Sequence, residues 1–181
     1  MKEGCDEKAT RVIAQVILDL QLTDVVNQMQ YQHISEHASS FAFLRGHLDQ
    51  KIIECVESIF NELCVDRSHD IVLHGDLHHD NILQNDSSWS VIDPHGYTGD
   101  PCAEVGPMIF NPLDCFPKHL SMQHVIVNRL NILSEMLPFD VERIKSWAFC
   151  LALRSVAWDV EVFGRPNYQT LEIGKVLYDI L

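Results

Sequence analysis

Basic residues are scarce in this chain. Thirteen lysines and arginines face 26 aspartates and glutamates, a formal net charge of -13. An acid excess of that size argues against nucleic acid or an anionic membrane as partner. It suits a cationic small molecule, and it is also a composition that keeps many proteins soluble. Glycine is thin where a phosphate-binding loop would need it: before position 75 there are only Gly4 and Gly46, which stand alone. The six cysteines, Cys5, Cys55, Cys64, Cys102, Cys115 and Cys150, include no C-x-x-C pair. That spacing excludes a disulfide scaffold and the usual zinc modules, and reads as reduced thiols in a cytoplasmic protein. No apolar run approaches the roughly 18 residues of a membrane span. The start, MKEGCDEKAT, is too polar for a signal peptide.

What is present is ordinary globular material: 181 residues, 46% of them apolar, enough for one core. Ala9, Val12, Ile13, Val16, Ile17 and Leu20 recur at helical spacing after acidic Asp6 and Glu7. Gln21 to Gly46 is less periodic and reads as loop and short helix. Ile52, Ile53, Val56, Ile59, Phe60 and Leu63 form a second helical face. The period then changes. Ile71–His74, Asn81–Gln84 and Trp89–Asp93 are short strand candidates, and the turn formers Asn85–Ser88 join the last two as a hairpin. Thr98 to Pro117, with four prolines, should be irregular with at most a short helix. Helical pattern returns after Ser121 and stops at Pro138. A longer, largely apolar helix starts at Asp140 and ends at Gly164 and Pro166, and a last one runs from Asn167 to about Leu181. The fold expected is α+β and mostly helical, one domain over 1–181.

The densest chemistry is the segment LHGDLHHDNIL, Leu73 to Leu83. A hydrolytic metal site is one reading, since His74, Asp76, His78, His79 and Asp80 are all possible ligands. His78 and His79, adjacent on an extended segment, would point to opposite faces, and no H-E-x-x-H pair supports them. A turn whose polar groups only cap backbone is a second reading. The third is a phosphotransferase loop. His74 to Asn81 fits H-x-D-L-x-x-x-N, the catalytic-loop pattern of protein kinases with Gly75 in place of arginine. Twelve residues on, Asp93-Pro94-His95-Gly96 stands where a kinase has D-F-G. Asp76 can accept the proton of a substrate hydroxyl. Asn81 and Asp93, placed on neighbouring strands, can converge on a metal that also binds nucleotide phosphates; oxygen donors suit Mg²⁺ rather than zinc.

The runs VLHGDLHHDNIL and VIDPHGYTGDPCAEVGPMIFNP resemble the aminoglycoside phosphotransferase family, within it the streptomycin 6-phosphotransferase and hydroxyurea phosphotransferase branch. The match is close from Val72 to Pro112. It implies the C-terminal lobe of a protein-kinase-like fold, with a short catalytic hairpin. By the resemblance, Asp76 is the catalytic aspartate, Asn81 and Asp93 hold Mg²⁺ and with it ATP, and Asp100 and Glu104 brace the site from below. His74 either orders the loop or is a satisfied buried histidine; His78, His79 and Asp80 have no assigned role. Gly75, with no A-P-E motif, implies a small-molecule kinase without an activation-loop switch. The implied reaction is transfer of the ATP γ-phosphoryl group to an alcohol, an aminoglycoside such as streptomycin or a hydroxyurea-type acceptor.

Family members carry a nucleotide-binding lobe before this region, and residues 1–75 read as helices without its glycine-rich loop or strand lysine. The expectation is a lobe with little activity alone, apolar and prone to self-association where the other lobe would pack. The alternatives are a non-catalytic binding remnant and the metal-dependent hydrolase.

Overall fold

The computed structural model describes residues 3–21, 31–86, 88–113, 116 and 120–181. Helix α1, Glu3–Gln21, buries Ile13, Val16 and Ile17 of the stripe its periodicity predicts, and Ala14 beside them. Of the segment expected as loop and short helix, residues 22–30 lie outside the described residues. From there the chain forms a two-residue strand β1, Gln32–His33, and a long 3₁₀ helix over Ile34–Leu44 that buries Ile34, Phe41 and Leu44. Helix α2, Gln50–Leu63, starts where Asp49 accepts the amide of Lys51, and buries Ile53, Val56, Phe60 and Leu63.

Two small sheets carry the polar segment. Strand β2 is Ile71–Leu73, β3 is Ile82–Asn85, β4 is Ser88–Val91 and β5 is Tyr97–Gly99. Strands β3 and β4 form the expected antiparallel hairpin, from Ile82 opposite Val91 to Asn85 opposite Ser88. The other sheet has the order β1-β5-β2, with β5 parallel to β1 and antiparallel to β2. Strand β5 corrects the expectation that Thr98 onward is irregular. Its partners lie far away in sequence, so no local alternation marks it. A second correction concerns Asp93. Strand β4 stops at Val91, and Asp93 stands beyond it with φ of 56°, in left-handed backbone that a strand does not allow. Asn81 is likewise not on a strand but closes a 3₁₀ turn, His79–Asn81.

After a 3₁₀ turn over Pro101–Val105 and the short helix α3, Gly106–Phe110, come α4, Met122–Met136, and α5, Val141–Phe163. Ser121 and Asp140 cap α4 and α5 as their sequence positions predict, and Gly164 ends α5 in left-handed backbone. Helix α6, Tyr168–Asp179, starts on the side chain of Asn167. Helix α5 packs against α2, α3, α4, α6 and both longer 3₁₀ segments. Its Trp147 is fully buried and meets Phe60 edge to face at 5.9 Å, and Phe60 meets Phe41 at 5.2 Å. Each such side chain contributes roughly 1.5–3 kcal/mol by leaving water. No helix among the described residues is long and apolar enough to cross a membrane. The described cysteines are unpaired; Cys115 lies outside the described residues.

One internal ion pair joins two helices far apart in sequence. Arg129 of α4 is fully buried. It donates to both carboxylate oxygens of Asp6 on α1, at 3.2 and 2.7 Å, and to the carbonyls of Met108, Ile109 and Asn111. Asp6, read from the sequence only as an acidic helix start, is a core residue.

Candidate active site

The site is built where β2 ends. Leu73 is buried, and the chain then turns through Gly75 at φ of 81°. A Cβ there would lie 2.7 Å from Cδ2 of Tyr97, so backbone angle and space both demand glycine. A side chain at position 75 would strain this turn. Beneath the turn, Glu104 accepts the backbone N–H groups of His74 and Gly75, the second at 3.3 Å. Burial pushes Glu104 up to about 7, with the charge of Asp76 adding to the effect and the two N–H donors opposing it. Asp100 caps the Pro101–Val105 turn, at 2.9 Å from the amide of Cys102, and accepts from Arg143 at 2.7 Å and from the Trp147 indole. Glu104 therefore supports the loop directly, whereas Asp100 ties the following turn to α5.

His74 answers both readings of it. Its ring is buried. Nε2 lies 2.9 Å from the carbonyl of Ile92, and Nδ1 accepts the amide of Asp76 at 3.4 Å. Burial depresses its pKa, which suits a neutral ring that donates at Nε2 and accepts at Nδ1. Its carbonyl receives the amides of His95 and Gly96 at 2.8 and 3.2 Å. His74 is thus a satisfied buried histidine, and by the same bonds it joins the loop to the segment after β4.

Asp76 is half-buried at the loop tip. Asn81 Nδ2 donates to its carbonyl at 2.8 Å and to Oδ2 at 3.1 Å, while His78 Nε2 is 3.5 Å and His95 Nε2 is 4.0 Å from Oδ2. Burial alone would raise Asp76. The hydrogen bond and charge of His78, with His95 and Asn81, outweigh it and hold the carboxyl below its ordinary value. Asp76 is ionised at neutral pH.

Of the two residues read as metal-holding, Asn81 is nearly buried. With Nδ2 spent on Asp76, its Oδ1 is left as an oxygen donor. Asp93 is exposed, one residue beyond Ile92, whose amide bonds the carbonyl of Asn81 at 3.1 Å. That bond brings the two positions onto adjoining backbone. A carboxylate and an amide oxygen fit a hard divalent cation. His78 and His79 do diverge. His78 faces Asp76, whereas both ring nitrogens of His79 are buried without a partner, and exposed Asp80 lies 3.8 Å from His78. Among the described residues no group of three His, Cys, Asp or Glu side chains is arranged to hold a metal.

Two histidines make acid stability a test of this packing. Burial, then the charge of Arg129, lowers His79 to about 4; burial, then Arg154 and His95, lowers His37 to about 4. Their ordinary value is 6.5. As pH falls from 6.5 towards 4 the unfolded chain takes up protons that the folded chain refuses, so stability is lost across that window. His79→Leu is expected to flatten the loss and to gain on the order of 2 kcal/mol at pH 5. Urea unfolding at pH 7 and pH 5 measures it, and an unchanged pH slope would show that His79 is not held neutral.

Asp76 opens onto a cavity of about 630 Å³, between Gly75, His78, His95 and Tyr97 on one side and Arg154, Trp158 and Asp159 of α5 on the other. Sequence reading missed Tyr97, Arg154 and Trp158. The available signal was the interruption of apolar α5 by Arg154 and Ser155 and again by Asp159.

The family model described as aminoglycoside/hydroxyurea antibiotic resistance kinase matches residues 1–163. Streptomycin 6-kinase of Streptomyces glaucescens is 29% identical over 129 residues, covering 71% of this chain and 42% of the relative. Streptomycin 3''-kinase of Klebsiella pneumoniae is 34% identical over 95 residues, 48% of this chain and 34% of the relative. Hydroxyurea phosphotransferase of Kitasatospora aureofaciens is 29% identical over 93 residues, 51% of this chain and 25% of the relative. The chain thus spans less than half the length of these curated relatives. No solved structure matches. Because the match runs from α1 to the end of α5 and takes in every loop of the site, the chain belongs to the aminoglycoside/hydroxyurea antibiotic resistance kinase family.

Proposed function

We propose that these residues form the acceptor-binding and base-bearing lobe of an ATP- and Mg²⁺-dependent phosphotransferase with a kinase-like fold, acting on an alcohol hydroxyl. The observation that carries this is Asp76: an ionised carboxylate, positioned by Asn81, at the mouth of a cavity large enough for a sugar-sized molecule. In the proposed reaction the hydroxyl oxygen forms a bond to the γ-phosphorus, the bond to the β-phosphate oxygen breaks, and ADP leaves. Asp76 orients the hydroxyl and takes its proton. Asn81 and Asp93 would hold the Mg²⁺, which when bound neutralises phosphate charge. His74 and Glu104 keep the Asp76 loop at one height, so the base needs little reorganisation. The names of the relatives offer aminoglycoside and hydroxyurea acceptors as candidates. On the hairpin, Leu83 is 49% and Trp89 is 43% exposed. That apolar surface would suit the adenine ring and a second lobe, and self-association through it is part of the proposal.

Mg²⁺ titration by calorimetry tests the metal assignment. Two protein oxygens alone are a poor Mg²⁺ shell, because this ion leans on phosphates and water. The expected result is no saturable binding without nucleotide, and weak binding with ATP that Asp93→Ala abolishes. Tight binding without ATP, unchanged by Asp93→Ala, would remove Asp93 from the site.

A further inference from the structure

The cavity beside Asp76 contains an arginine with no carboxylate partner among the described residues. Arg154 Nη2 contacts His37 Nε2 at 3.1 Å and the Tyr97 hydroxyl at 3.3 Å, and the guanidinium lies 5.5 Å from the centre of the Tyr97 ring. Those partners are an imidazole and a phenol. Among the described residues no carboxylate pairs with Arg154, and its Nε and Nη1 have no protein hydrogen-bond partner. Arginine does not deprotonate, so a full charge and three N–H donors remain for a ligand. The ring and imidazole contacts hold the fork in place, which lowers the entropy lost when it binds. A carboxylate oxygen at Nη1 or at Nε would accept a charge-assisted hydrogen bond there.

Five residues further along α5, about 7.5 Å at the helical rise, Asp159 lines the same cavity. It too has no basic partner among the described residues. Trp158, half exposed, lies beside it. Among the described residues the cavity thus offers one charge of each sign on a single helix without an opposite partner, together with the carboxylate of Asp76. A polycationic acceptor would set like charge against Arg154, whereas a molecule carrying both signs would satisfy both ends.

We infer that Arg154 is a carboxylate-binding residue of the acceptor site and, with Asp159, selects an alcohol bearing both an acid and an amino group. This rests on reading the cavity as the acceptor site. Three probes on one carbon skeleton separate the contributions: glucosaminate carries both charges, gluconate only the acid, glucosamine only the amine. Binding is followed without nucleotide by the Arg154 Nε–H and Trp158 indole N–H signals in NMR spectra, with streptomycin as the polycation. Glucosaminate is expected to bind about tenfold tighter than glucosamine or streptomycin. Gluconate and glucosaminate should both move the Arg154 signal. Arg154→Gln should reduce glucosaminate to the level of glucosamine, and Asp159→Asn to that of gluconate. If Arg154→Gln does not fold, the titrations of the unaltered chain decide. Glucosamine or streptomycin binding as tightly as glucosaminate, or an Arg154 signal unmoved by either acid, overturns the assignment. Because no phosphoryl transfer is involved, the subsite can be present in a chain that never turns over. Conversely, an active chain that binds streptomycin best would lose only the role of Arg154.

Discussion

Asp76→Asn is expected to reduce turnover by roughly 10²–10³-fold while leaving acceptor KM nearly unchanged. The protein to measure is a fusion of these residues to the N-terminal half of a streptomycin 6-kinase, assayed for ATP-dependent product. Asparagine has the same shape and can still accept the hydrogen bond that Asn81 Nδ2 makes at 3.1 Å, so the loop should survive. What it cannot do is take a proton. The carboxylate matters in the transition state and little in the ground state, which is why kcat should fall and KM should not. Asp76 is held below its ordinary value, so its own ionisation should not limit the rate near neutral pH. Near-full turnover in Asp76→Asn would remove it from the chemistry. A large rise in KM at constant kcat would make it a binding residue instead.

The second large effect is expected at Arg129, far from the reacting atoms. Arg129→Met removes five hydrogen bonds and leaves Asp6, 4% exposed, as a buried carboxylate without its partner. Breaking one side of such a pair costs about 3–5 kcal/mol. Urea unfolding should show a loss of that size. Replacing both partners, Asp6→Leu with Arg129→Met, should recover a large part of it, because the stranded charge is gone. The three carbonyls Arg129 binds belong to Met108, Ile109 and Asn111, and Asn111 borders the cavity. The single variant should therefore also loosen that wall. A loss below about 1 kcal/mol would show that Arg129 is less coupled than its bonds imply.

The hairpin and the helices were legible because their signals are local. The stripe from Ile13 to Ile17, the face from Ile53 to Leu63 and the caps Ser121 and Asp140 are each decided within a few residues, and each appears in the structure where the pattern puts it. Strand β5 was not legible. Its partners Gln32–His33 and Ile71–Leu73 are tens of residues away, and its three residues show no alternation. Asp93 was legible as a motif residue but not in its conformation: left-handed backbone at a non-glycine residue is imposed by the surroundings, and aspartate tolerates it better than most residues do.

By itself the sequence determined the family, the order of the helices and the loop H-x-D-L-x-x-x-N, because spacing along a chain is a local quantity. Tertiary structure alone decided which charges are compensated. Asp6 is buried against Arg129 across 123 positions, Glu104 sits under His74 and Gly75, and Arg154 faces the cavity with a histidine and a tyrosine as its hydrogen-bond partners among the described residues. Composition counts such charges without placing them. Whether an acid or an arginine is solvated, paired or left open for a ligand depends on what the fold brings within about 4 Å of it, and on how much water the fold excludes there.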